Sequence, residues 1–208
     1  MPVPEIAESF TGSVNRVTLG ATKGNGGTRT STVTVGAARN MVYGGSSSDA
    51  GEKPVVAMDV LDTRPEDWPD ALLEPYKNVL DSPGDWARKC VEEFGADLIC
   101  VKFEGIHPDK GDKDAGHAVK VAEEVLKAVG VPLVLWSCGF DEKDNQVMPK
   151  VSGAVKGENC LIGTVTEDNY KSLTAIALAD GHFLITEAPL DINIAKQVNI
   201  LVSDMGFP

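Results

Sequence analysis

Carboxylates and amides stand where apolar runs end. In chain order the clusters are Asp59-Val-Leu-Asp62, Glu104-Gly-Ile-His107, Ser137-Cys-Gly-Phe-Asp141, Thr164-Val-Thr-Glu-Asp168-Asn169 and Glu187-Ala-Pro-Leu-Asp191. Two carboxylates held on neighbouring strand ends can act as a general acid and base. Acids and amides together can equally hydrogen-bond a polar ligand. Each residue also has a structural reading, because helix caps and turns select the same types. Asp191 and Thr166 are placed as caps, Asp141 to Asn145 as a solvated turn, and Asp59 as an anchor for a neighbouring amide. Five such ends in one chain favour a polar mouth, but no nucleophile or metal is identified. His107, His117 and His182 are scattered and no HExxH occurs, which argues against a zinc hydrolase. No GxSxG elbow is present.

The elements that must position these residues follow a regular rhythm. Apolar runs at 54–60, 97–103, 131–137, 160–165 and 182–188 read as strands buried on both faces. Between them lie helical patterns. Ser82-Pro83-Gly-Asp85 opens one helix, with Trp86, Cys90 and Phe94 on its apolar side and Gly95 as its stop. A second carries Ala118, Val121, Ala122, Val125, Leu126 and Val129 as a stripe ending at Gly130. Val147–Lys156 reads as a short helix with Pro149 early in it. Thr166 caps a helix with Tyr170, Leu173, Ala177 and Leu178 inward. Asp191 caps the last, with Ile194, Ala195, Val198, Leu201, Val202 and Met205 on one side and Gly206 as its stop.

Five strand–helix units in succession predict an α/β fold with a parallel sheet covered by helices. An open doubly wound sheet is weakened by the absence of GxGxxG after any strand. A (β/α)8 barrel requires eight units, so the expectation is a TIM barrel cut to five units, a fragment with exposed sheet edges and an apolar lumen. Residues 9–43 read differently, as a β-hairpin whose flexible tip is Lys23-Gly-Asn-Gly-Gly27, and Gly44–Gly51 has linker composition. The glycine run lacks the GxxxxGK[ST] order of a phosphate cradle. The expected organisation is an N-terminal hairpin extension and linker over 1–52 and a partial barrel over 53–208.

The net charge of −12 argues against a nucleic-acid partner. No apolar run reaches membrane-spanning length and no signal peptide is evident. Cys90, Cys100, Cys138 and Cys160 form no CxxC pair, so neither an iron–sulfur cluster nor a zinc site is expected within this chain. Reduced, buried thiols in a cytoplasmic protein are expected.

Several segments read together resemble the small (delta) subunit of the corrinoid iron–sulfur protein in the CO dehydrogenase/acetyl-CoA synthase system. They are Ser9–Gly20 (SFTGSVNRVTLG), Lys53–Asp59 (KPVVAMD), Gly105–Gly111 (GIHPDKG), Asp141–Pro149 (DEKDNQVMP), Lys156–Cys160 (KGENC), Asp168–Lys171 (DNYK), Ala179–His182 (ADGH) and Asp191–Asn199 (DINIAKQVN). The resemblance implies a (β/α)8 barrel paired with a large subunit that carries an iron–sulfur cluster and a corrinoid held between the two. It further implies transient contact with a methyltransferase and with acetyl-CoA synthase, as methyl passes from a methyl-pterin through the cobalt. The corrinoid-ligand pattern DxHxxG is not met around His107, because Gly105 stands where Asp is required. A non-catalytic scaffold is therefore the leading expectation, with Glu104, Ser137, Asp141, Asn145, Asp168 and Asn169 as corrinoid-facing candidates and no metal ligand. The alternative is a pterin-binding methyltransferase that uses Asp59, Asp141 and Asn169 on the pterin ring.

Overall fold

The computed structural model describes residues 14–37 and 52–207, so the expected linker at Gly44–Gly51 lies outside the described residues. Strands β3 (Ala57–Leu61), β4 (Leu98–Lys102), β5 (Leu133–Trp136), β6 (Leu161–Val165) and β7 (Phe183–Thr186) form a parallel sheet in that order. Sequential order with a helix after each strand is the connectivity of a (β/α)8 barrel. Among the described residues the sheet does not close, and β3 and β7 are its edges.

Strand alternation sorts the side chains onto two faces. Ile99, Val101, Leu133, Leu135 and Ile162 point outward into the main core. Beyond the short helix α1 (Asp70–Leu73), they meet α2 (Pro83–Glu92), α3 (Ala115–Ala128), α4 (Asp141–Ala154), α5 (Tyr170–Asp180) and α6 (Ile192–Asp204) there. Leu98, Cys100, Val134, Trp136, Leu161, Phe183 and Ile185 form a second cluster on the inner face.

The caps at Ser82 and Asp191 form as expected, the first accepting from Asp85 N and the second from Asn193 N. Asp114, which accepts from His117 N, caps α3. Other expectations are corrected. Phe94 lies beyond the end of α2 and is 45% exposed, and Leu178 is equally exposed on the outer side of α5. Helix α4 starts at Asp141, not Val147, so Pro149 is interior. Its first turn absorbs Asp141, Glu142 and Asp144, and acids there complement the positive end of the helix dipole. Thr166 does not cap α5, whose preceding residue is Asn169.

The hairpin strands β1 (Arg16–Leu19) and β2 (Val33–Gly36) pair antiparallel. Their connection is not a loose tip. A 3-10 turn at Lys23–Asn25 leads into Arg29, which is 4% exposed and lies against the amino ends of the sheet strands. Arg29 donates to the carbonyls of Leu126 (2.7 Å) and Val129 (2.6 Å) and, through Nε, to Glu158 (3.0 Å). Glu158 also accepts from the Thr28 amide and hydroxyl. Gly20, at φ 86°, bonds through its amide to the Asn159 carbonyl, and a Cβ there would come within 2.7 Å of Pro132. The segment thus seats Leu19, with Val17 and Val33, over the inner-face cluster. The sheet has a plugged floor.

Candidate functional site

At the opposite end of the sheet, three loops are each tied by a buried Asp or Asn. After β3, the Asp62 side chain is fully buried; it accepts from Gly105 N (2.7 Å) and from His117 Nε2 (3.1 Å). Burial pushes its carboxyl above the usual range, against the pull of the Gly105 amide and His117. After β5, Asp144 accepts from the amides of Cys138 and Gly139 and from the Cys138 thiol (3.1 Å), and burial raises it too. After β6, Asn169 accepts from Thr166 N (2.8 Å) and donates to the Thr164 carbonyl (3.0 Å). These side chains spend their polar atoms on the loop backbones and so fix the rim.

Within that rim lies a cavity of about 150 Å³ whose walls include Lys102, Glu104, His107, Lys110, Trp136 and Cys138. Alternation along β4 puts Lys102 on the same face as Cys100, opposite Trp136 on β5. Its ammonium meets Asp59 at 2.6 Å and lies 6.0 Å from the Trp136 ring centroid. Burial draws the Lys102 pKa down, but the Asp59 carboxylate outweighs this and leaves it above its ordinary value. Lys110 pairs with Glu104 at 2.5 Å, and that hydrogen bond holds it above its ordinary value too. His107 stacks edge-on against Phe140 (5.8 Å) and accepts from Asp109 N through Nδ1. Burial pushes the Cys138 thiol up to about 12, so it is not a thiolate at neutral pH.

Of the residues nominated from sequence, Glu104 and Ser137 line this cavity. Ser137 also accepts from Thr164 N (3.0 Å), which ties β5 to β6. Asp141 accepts from the Thr166 hydroxyl (2.8 Å) at the neighbouring rim, and Asp168 is exposed. Asn145, on α4, has a buried Oδ1 with no partner among the described residues. The set Asp59, Asp141 and Asn169 does not converge: one is paired with Lys102, one with Thr166, and Asn169 is buried in its own loop. Lys102, Lys110 and Trp136 were missed, and His107 stood in a strand-end cluster without being nominated as a contact. For Lys102 a signal existed, a lysine at the inward position of the apolar run LICVK. Among the described residues, no group of three or more His, Cys, Asp or Glu side chains is placed to hold a metal ion, and no helix is long and apolar enough to cross a membrane.

The fold and this rim can be set beside known proteins. A family model described as the CO dehydrogenase/acetyl-CoA synthase delta subunit matches residues 16–207. The chain belongs to that family. Its relatives include the acetyl-CoA decarbonylase/synthase complex subunit delta of Archaeoglobus fulgidus, 37% identical over 92% of this chain and 42% of the relative. Subunit delta 1 of Methanosarcina thermophila is 34% identical over 95% of this chain and 45% of its own length. The Methanopyrus kandleri subunit delta is 32% identical over 94% and 49%. This member of the family thus spans about half the length of the curated relatives it matches.

Proposed function

We propose that the chain contributes a non-catalytic scaffold to an acetyl-CoA decarbonylase/synthase complex. In this reading it pairs with a corrinoid-bearing, iron–sulfur large subunit and turns the carboxyl end of its sheet toward the corrinoid. The observation that carries the proposal is the state of the polar groups at that end. Asp59, Asp62, Glu104, Asp141 and Asp144 there are each paired or hydrogen-bonded, and the Cys138 thiol is held protonated. Such a surface offers hydrogen bonds and shape but no activated nucleophile.

The residues fit the periphery of a corrinoid and not its metal. Lys102 and Lys110 supply donors and Glu104 supplies an acceptor. When bound, the corrinoid's cobalt supplies the methyl-carrying chemistry; this chain's residues would orient the macrocycle and keep water from its face. The family relationship and the complex named for its relatives support the same assignment.

The test is co-purification of this chain with a corrinoid-loaded large subunit, followed by corrinoid absorbance. A coloured complex is the expected result. Saturable micromolar binding of a methyl-pterin by this chain without the partner, equivalent to about −8 kcal/mol, would instead make it a methyltransferase.

A further inference from the structure

The mouth cavity is small and walled by ion-paired side chains. Its 150 Å³ corresponds to about five waters at ~30 Å³ each, well short of the roughly 300–1,000 Å³ that encloses a whole ligand. A group that enters it is an arm of something larger. Two ion pairs stand at it, Lys102 with Asp59 and Lys110 with Glu104, and within each pair the formal charges cancel. Each ammonium has three donor hydrogens, and each is engaged by a single carboxylate among the described residues. Likewise Glu104 meets Lys110 through Oε2 and leaves Oε1 as an acceptor. The cavity therefore presents spare donors and a spare acceptor together.

A carboxylate arm would satisfy the donors but set its own charge against Glu104. An ammonium arm would satisfy Glu104 but face Lys102 and Lys110. A primary carboxamide satisfies both, because its carbonyl accepts while its NH₂ donates. The Trp136 ring forms an apolar wall for the methylenes that carry such an arm. We propose that the cavity walled by Lys102, Glu104, Lys110 and Trp136 is a subsite for a neutral primary-carboxamide arm of a larger ligand, and that it selects against the corresponding carboxylate. This inference rests on the corrinoid-facing reading above, since a corrinoid ring is fringed with such arms.

The experiment uses the reconstituted pair of this chain with the large subunit. The probes are cobalamin and its monocarboxylic acids, in which one peripheral amide is hydrolysed; the readout is corrinoid retained at equilibrium, measured by absorbance. Cobalamin is expected to outcompete at least one monoacid by about tenfold, because a hydrogen bond to a charged group is exchanged for a like-charge contact. Glu104→Gln removes the opposing charge and is expected to erase that preference, whereas Lys110→Gln leaves Glu104 without its cation and is expected to widen it. Equal retention of cobalamin and every monoacid overturns the subsite while leaving corrinoid contact in place. A preference that survives Glu104→Gln overturns it as well. Retention no greater than that of the large subunit alone, for every probe, overturns the corrinoid-facing reading itself.

Discussion

The two ends of the sheet use the same chemistry to opposite effect. At the floor, Arg29 and Glu158 are 3% and 6% exposed, and each makes several further hydrogen bonds. At the mouth, Lys110 and Glu104 are 53% and 35% exposed and hold one another through a single contact. A buried pair whose remaining donors and acceptors are satisfied is a structural pin, because removal of either partner strands a charge in a dry site. A half-exposed pair with unused donors adds little to folding but stays available to a ligand. Position in the fold, not residue type, decides which use is made.

The largest effect expected from this contrast is at the floor. Arg29→Met leaves Glu158 buried without its cation and should cost about 3–5 kcal/mol in denaturant unfolding. Adding Glu158→Met should return part of that loss. A cost for Arg29→Met no larger than that of a surface change would remove the floor's claim to be the pinned end. Leu19→Ala, which empties the plug over the inner-face cluster at a residue 2% exposed, should cost about 2–4 kcal/mol. A native-like midpoint would mean that the hairpin does not seal that face.

His182 gives a pH-dependent measure of the same end. It is 4% exposed, accepts from Cys160 N through Nδ1 and donates from Nε2 to the Ser152 carbonyl. Burial keeps it below its ordinary 6.5, so the folded chain resists a proton that the unfolded chain takes. Its contribution is fully present above pH 6.5 and is lost progressively as pH falls from there toward the lower value His182 has in the folded chain. The raised carboxyls of Asp62 and Asp144 act in the opposite sense, since their protonation favours the folded state. Unfolding curves between about pH 7 and 5.5 should therefore fall more steeply for the wild type than for His182→Asn. Parallel curves would contradict the buried-histidine account. The smallest expected change is at the mouth: Glu104→Gln should alter stability by no more than about 1 kcal/mol, in contrast to its effect on ligand choice.

Much of this architecture was legible in the sequence. Apolar runs bounded by caps located each strand of the parallel sheet, and Ser82 and Asp191 announced their helices by cap chemistry. Misreadings arose where tertiary contacts override local signals. The glycines around Lys23 look like a free turn, and nothing nearby reveals that Arg29 reaches Glu158, far along the chain. Pro149 suggested a late helix start, yet the acids from Asp141 onward suit a helix amino end and extend α4 before it. The mouth was legible as a place but not as a set of groups. Asn169 and Asp144 have the types expected of ligand contacts but face their own loops, while Lys102 sits inside a strand where no loop-based search would find it.

The contrast between the two ends is tested most directly by amide hydrogen exchange on the chain, free and paired with the corrinoid-loaded large subunit. The account predicts added protection over residues 103–107 and 137–140 at the mouth and no change at 18–30 on the floor. Protection gained at the floor, with the mouth loops unaltered, would contradict it.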